Sequence, residues 1–243
     1  MLELNRIYNM DVLEGLRMLD DGSVDLVITS PPYNKAGLNG WRRKVKGHNW
    51  GHAIDYGGVS DVDRMPEDEY EDWQVEVLDE CYRVLKDKGS MFYNHKNRIV
   101  NGKGYIISPF KWLYRSKFLV RQEIVWDRIS SPVVGTERYL PTTEQIYWLA
   151  KVPTPTFKRY TRNKTEVWRL APDKYTEHPA PFPVQIPDSI IPNIGENMLV
   201  LDPFMGSGTV AISALKNNCR YIGFEKFQQY IDLANARIRD LQL

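Results

Sequence analysis

Thiols are scarce: the only cysteines are Cys81 and Cys219, too few for a disulfide framework and with no metal-ligand spacing. No apolar run approaches the roughly 18 residues that a membrane span needs, so no membrane partner is expected. The first residues, MLELNRIYNMD, carry acids and asparagines where a secretory signal would carry a basic start and an apolar stretch. These absences point to a cytoplasmic protein. A surplus of charge is also missing, because 32 Lys and Arg stand against 31 Asp and Glu. That balance by itself announces no nucleic-acid partner. Repeats and low-complexity tracts are absent, which leaves no place for a solenoid or a collagen-like chain. His48 and His52 stand four apart with no third ligand nearby, so they are read as loop histidines and no metal is expected.

What is present is a globular composition with segregated charge. Apolar residues make up 42% of the chain, enough for one proper core over 243 residues. A single domain spanning 1–243 is expected. From 34 to 54 there is no acid, while Lys35, Arg42, Arg43, Lys44 and Lys46 occur; from 145 to 165 there is again none, with Lys151, Lys158, Arg159, Arg162 and Lys164. An acidic stretch at 55–72 lies between. Such a chain can show a basic face to phosphates and stay neutral in sum; the alternative is two solvated loops.

The pattern alternates strand and helix. Residues 24–30 (VDLVITS) form a short apolar run closed by Pro-Pro, which predicts a buried strand. Residues 66–86 place Tyr70, Trp73, Val77, Cys81 and Val84 at helical spacing behind an acidic first turn. Strands are expected at 89–94, 118–127, 144–151, 198–202 and 220–225, and helices at 108–115, near 188–192, at 206–217 and at 227–241. This alternation predicts an α/β fold with a doubly wound, mostly parallel sheet. Prolines at 153, 155, 179, 181 and 183 mark an insert rather than a second core.

Two stretches carry chemistry. Thr29-Ser30-Pro31-Pro32-Tyr33-Asn34 follows a buried strand directly, and ligands of a parallel sheet bind beyond its carboxyl ends. Two prolines fix the backbone and withdraw two amide donors. That leaves carbonyl acceptors beside a hydroxyl and an aromatic plate, a setting for a planar group bearing NH2. The plainer reading is a proline-ended strand whose tyrosine packs. The second stretch, residues 199–209 (LVLDPFMGSGT), is a strand, a glycine turn and a helix start. Glycines there permit close backbone approach, and the helix start favours a polar or anionic group. Glu225 ends the next strand, where a nucleotide-binding sheet accepts ribose hydroxyls. No G-K-[ST] and no G-x-G-x-x-G occur, so a ribose-bearing ligand without a pyrophosphate fits, such as S-adenosylmethionine.

T-S-P-P-Y-N together with D-P-F-x-G-S-G-T resembles the amino-methylating DNA methyltransferases, which act on adenine N6 or cytosine N4. The base motif precedes the cofactor glycines, and that order resembles the circularly permuted β class. The resemblance covers nearly the whole chain, from Asn9-Met10-Asp11 to the final strand, with HPAPFP at 178–183 before the cofactor strand. It implies a Rossmann-like fold and site-specific transfer of a methyl group from S-adenosylmethionine to the exocyclic amine of a flipped base. Ser30, Pro31, Pro32 and Tyr33 would be catalytic, with Ser30 and the Pro31 carbonyl accepting from the amine and Tyr33 stacking on the base. Asp202, Pro203, Phe204, Gly206, Ser207, Gly208 and Thr209 would line the cofactor, Glu225 would take its ribose and Asp11 its adenine edge. For Asp11 an N-cap on a helix from residue 12 is an equal alternative.

Double-stranded DNA is the implied partner, and the class allows a cognate restriction enzyme and a homodimer. Asn34, Lys35, Arg42, Arg43, Lys44, Lys46, Lys158, Arg159 and Arg162 are the expected DNA contacts. They lie in a segment at 34–65, expected to be a mobile loop, and an insert at 152–180, expected to recognise DNA. The stretch at 96–103 is another candidate. C5-cytosine chemistry would need a nucleophilic thiol, typically after a proline, and Cys81 follows Glu80 while Cys219 follows Asn218. In this family, serine before Pro-Pro-Tyr leans toward cytosine N4 and aspartate toward adenine N6, so Ser30 favours cytosine. Other readings are an RNA or protein-glutamine amino-methyltransferase, whose glycines usually precede the base motif, and a non-catalytic nucleic-acid-binding module.

Overall fold

The computed structural model describes residues 2–34, 65–99, 105–129, 139–158, 165–173 and 183–241. Its centre is β2 (Val24–Thr29), a strand buried on both faces. Beside it run β3 (Leu85–His95) and β9 (Leu199–Asp202), both parallel to it. β10 (Arg220–Glu225) and then β1 (Arg6–Asn9) continue the parallel sheet on the β9 side. On the β3 side come β7 (Thr143–Ala150), antiparallel to its neighbours, then β6 (Leu119–Asp127) and β8 (Val167–Arg169). The order is therefore β1-β10-β9-β2-β3-β7-β6-β8, with β7 alone reversed among these eight. A small hairpin, β4 (Arg98–Ile99) with β5 (Ile106–Ile107), stands apart from it.

Alternate strand residues feed two opposite cores. Leu26, Ile28, Phe92, Ile146, Trp148, Val200 and Tyr221 face one layer, built by α4 (Gln185–Ile194), α5 (Thr209–Lys216) and α6 (Gln228–Arg239). Val27, Met91, Tyr93, Tyr147, Leu149, Leu201 and Ile222 face the other, built by α1 (Val12–Arg17), α2 (Glu67–Val84) and α3 (Phe110–Leu113). Each fully buried aliphatic or aromatic side chain contributes about 1.5–3 kcal/mol, so strands covered on both sides read as near-continuous apolar runs. The doubly wound parallel sheet expected from sequence is what forms.

Several boundaries differ. β3 starts at Leu85, because α2 ends at Val84 and the chain pairs with Val24 before bulging. α3 spans four residues, with Pro109 at its N-cap and the Ser108 hydroxyl 3.4 Å from the Phe110 amide. β1 and β8 are strands beyond those expected, and both lie at sheet edges. The described end of the 152–180 insert is stitched into the sheet through β8, and the Trp126 indole donates to the Leu170 carbonyl at 2.8 Å. Among the described residues no helix is long and apolar enough to cross a membrane.

Candidate active site

All parallel strands of the sheet end on one edge, and the residues singled out from sequence collect there. From β1 outward, that edge carries Asp11, Glu225, Asp202, Ser30 and then Asn94 and His95. Because β7 runs in reverse, its first residues, with Glu144, reach the same edge, as does Arg128 after β6. β2 and β9 are hydrogen-bonded neighbours although some 170 residues separate them, which brings the base motif against the glycine turn.

On the glycine side, the Asp202 carboxylate is buried, and one oxygen accepts from the Thr29 hydroxyl at 2.7 Å and the Phe204 amide at 3.0 Å. Burial, with a smaller push from Glu225, raises its carboxyl to about 7. The turn is zipped to β10: Met205 donates its amide to the Phe224 carbonyl at 2.9 Å, and Gly206 donates to Glu225 Oε2 at 2.9 Å. Glu225 Oε1 accepts from the Phe227 amide at 2.9 Å. Desolvation nonetheless raises this carboxyl above its usual value. Gly206 and Gly208 have φ of 51° and 80°, the left-handed region that glycine enters without strain. A Cβ on Gly208 would lie 2.8 Å from that of Ala234, so this glycine lets α5 approach α6. Pro203 is buried, and Ser207 and Thr209 are buried with their hydroxyls near Arg237 Nη1, at 2.8 and 3.5 Å. That arginine also donates to the Ser207 carbonyl at 2.6 Å. Asp11 N-caps α1 through the Leu13 amide at 2.9 Å, the alternative raised for it above.

On the base side, the Pro-Pro pair ends β2. Tyr33 was expected as an open stacking plate, but it is 7% exposed, with its ring centroid 4.5 Å from that of His95. Its hydroxyl lies 2.9 Å from Ser30 Oγ, donates to Glu144 Oε2 at 3.0 Å and accepts from Asn94 Nδ2 at 2.8 Å. The Pro32 carbonyl terminates a buried relay. Trp112 Nε1 donates to Tyr93 Oη, Tyr93 to Gln74 Oε1, Gln74 Nε2 to Tyr70 Oη, and Tyr70 to the Pro32 carbonyl at 2.6 Å. His95 Nε2 also lies 2.9 Å from Tyr70 Oη. Among the described residues no hydrogen bond occupies the Pro31 carbonyl.

Asn34, expected to touch DNA, is buried in the left-handed region, and its amide nitrogen donates to the Met65 carbonyl at 2.9 Å. Lys158 keeps an exposed side chain while its amide bonds the Asn193 carbonyl. Lys35, Arg42, Arg43, Lys44, Lys46, Arg159 and Arg162 lie outside the described residues, as do His48 and His52.

Sequence reasoning missed Asn94, Glu144 and Arg128 at this edge, and Trp73, whose ring meets Phe204 edge-on at 5.7 Å. Trp73 and Glu144 had looked like ordinary helix and strand residues. Both cysteines are buried, and burial pushes each thiol up, the wrong direction for a nucleophile.

The donor set fits S-adenosylmethionine. Each Glu225 oxygen has accepted one backbone amide, and a carboxylate offers about four acceptor positions, so two ribose hydroxyls can still be received. A family model described as DNA methylase, covering adenine-N6 and cytosine-N4 enzymes, matches residues 24–236. The orphan methyltransferase M.BamHII of Bacillus amyloliquefaciens is 46% identical, with 91% of each chain covered. Among solved structures, the PvuII DNA methyltransferase (cytosine-N4-specific) superposes with a TM-score of 0.76 at 22% identity, covering 97% of this chain and 90% of that one. A DNA modification methylase of Thermus thermophilus, complexed with S-adenosyl-L-methionine, gives 0.67 at 22% identity over 97% and 95%. At these identities the structural likeness is one of fold, and the sequence match carries the rest. The chain thus belongs to the N6/N4 DNA methylase family, in its permuted order, and transfers a methyl group from S-adenosylmethionine to an exocyclic amine of a DNA base.

Proposed function

We propose that the base methylated is cytosine, at N4, with Ser30 Oγ and the Pro31 carbonyl accepting the two amine hydrogens. One observation carries this reading: a neutral hydroxyl, Ser30, heads the base motif at the carboxyl end of β2, beside the strand that bears Asp202. The cytosine-N4 specificity named for the PvuII enzyme supports the choice. An exocyclic amine is a poor nucleophile while its lone pair is conjugated into the ring. Two acceptors fixed by rigid prolines draw both hydrogens out and release the lone pair, and the fixed geometry supplies orientation without reorganisation. S-adenosylmethionine, when bound, supplies an electrophilic methyl group.

Glu225 would hold the ribose hydroxyls, and Asp202, Phe204 and the Gly206 backbone would line the remainder. The Asp11 oxygen not used by the Leu13 amide would face the adenine edge. Pro203, Ser207, Gly208 and Thr209 shape the turn rather than touch the ligand, because their side chains, or the space at Gly208, are taken by the protein itself. The hydrogen bond between Asn34 and Met65 ties together the two ends of the 35–64 segment, so its cationic residues leave and return beside Ser30. That is where a duplex must lie to deliver an extruded base. DNA as substrate and two unpaired cysteines suit a reducing, cytoplasmic setting.

The test is to incubate the protein with S-adenosylmethionine and mixed-sequence duplex, digest to nucleosides and identify the product by mass. N4-methylcytosine is expected, with Ser30→Ala lowering the rate about 10²-fold; N6-methyladenine would overturn the choice of base.

A further inference from the structure

Methylating an exocyclic amine leaves its nitrogen with one proton too many. Neither acceptor assigned to the amine can retain it, since a serine hydroxyl and a proline carbonyl are neutral and weakly basic. Behind Ser30, however, runs a hydrogen-bonded string that ends on a carboxylate. Ser30 Oγ is 2.9 Å from Tyr33 Oη, and Tyr33 Oη is 3.0 Å from Glu144 Oε2. Asn94 Nδ2 faces all three oxygens, at 3.3, 2.8 and 3.2 Å in that order. Arg128 donates to the other Glu144 oxygen at 2.9 Å and balances its charge, with the Glu144 side chain only 8% exposed.

The far end sets the direction of the whole string. An ionised carboxylate can only accept, so the single Tyr33 proton is committed to Glu144. The Ser30–Tyr33 contact must then use the proton of Ser30. That leaves the remaining Ser30 lone pair directed away from the string, ready to accept an incoming N–H. Asn94 agrees with this polarity, since its nitrogen meets three acceptors, and an amide cannot itself take up the proton.

We propose that Glu144 is the positioning residue of the site: it fixes Ser30 as an acceptor and is the final destination of the amine proton. As the new N–CH3 bond forms and the donor's S–CH3 bond breaks, the amine N–H proton passes to Ser30 Oγ. The Ser30 proton passes to Tyr33 Oη, and the Tyr33 proton to Glu144 Oε2. The methylated amine ends neutral, Ser30 and Tyr33 are restored, and Glu144 becomes a carboxylic acid that returns its proton to water before the next turnover. The same polarity admits an amino group and rejects a ring carbonyl, whose oxygen would meet a lone pair. The assignment rests on reading Ser30 as the acceptor for the target amine. It also gives the buried Tyr33 hydroxyl a role that stacking alone does not.

The experiment measures single-turnover methyl transfer, together with separate equilibrium binding of S-adenosylmethionine and of duplex, for wild type, Ser30→Ala, Glu144→Gln and Glu144→Asp. Glutamine keeps the shape and the Arg128 contact but can donate to Tyr33, which reverses the string. Transfer by Glu144→Gln should fall about 10²-fold with both affinities within about threefold of wild type, and Glu144→Asp should recover most of the rate. Wild-type transfer by Glu144→Gln, with Ser30→Ala impaired, would overturn the role of Glu144 and leave the site intact. Wild-type transfer by Ser30→Ala would overturn the site reading beneath it. If Glu144→Asp is as slow as Glu144→Gln and both melt early, Glu144 only holds the fold and the proposal fails.

Discussion

Asp202 is the residue at which burial and chemistry pull hardest against each other. In an unfolded chain its proton leaves near the ordinary carboxylate value of about 4, whereas burial holds it in the folded protein to about 7. Between those values the folded state binds more protons than the unfolded one, so this group makes stability fall as pH rises through that window. Asp202→Asn keeps an oxygen for the Thr29 hydroxyl and the Phe204 amide while removing the titration. We expect the variant to melt roughly 5–10 °C above wild type at pH 8, and the gap to close toward pH 4. Thermal denaturation across that range checks it, and parallel pH curves for the two proteins would sink the argument. The residue was legible in the sequence because an acid at the end of an apolar strand, just before a glycine turn, has few other uses. Glu144 was not legible. Its partners Tyr33 and Asn94 lie 111 and 50 residues away, and nothing local distinguishes it from an acid that merely opens a strand.

Among elements, the central strands could be read from sequence and the edge strands could not, for a physical reason. β2 and β7 are covered on both faces and leave long apolar runs. β1 and β8 each bury one residue, Ile7 and Trp168, and three or four positions are too few to display a period of two. The glycine turn shows a related ambiguity, since glycine can serve a ligand or the fold. For Gly208 the fold is sufficient cause: its φ of 80° and the 2.8 Å approach to Ala234 both forbid a side chain. Gly208→Ala should therefore destabilise the protein by about 2–5 kcal/mol, the left-handed strain and the overpacking together. A denaturant midpoint is the readout, and an unchanged midpoint with weakened S-adenosylmethionine binding would instead make Gly208 a ligand contact. The short helix at Phe110–Leu113 was overextended in the sequence reading because Ser108 and Pro109 mark a beginning but nothing in sequence marks the early end.

Across the whole molecule, one sheet edge carries two half-sites supported from different directions. The cofactor half on β9, β10 and β1 is braced by α6, through Arg237 on the Ser207 carbonyl and hydroxyl. The base half on β2, β3 and β7 is braced by α2 and α3, through the relay from Trp112 to the Pro32 carbonyl. The two braces share no hydrogen-bond partner, and sites without shared partners contribute additively. Tyr70→Phe cuts the relay at its last bond and frees the Pro32 carbonyl, so methyl transfer at saturating cofactor should slow about tenfold with cofactor affinity unchanged. Arg237→Ala loosens the glycine turn and should weaken S-adenosylmethionine binding about tenfold, with little effect on transfer once the cofactor is saturating. The double variant should show both losses, multiplying in kcat/KM to about a hundredfold. Single-turnover rates and cofactor titrations on the three variants decide it. A double variant no worse than the poorer single one would mean that the halves move as one unit, with the β2–β9 pairing transmitting the disturbance between them.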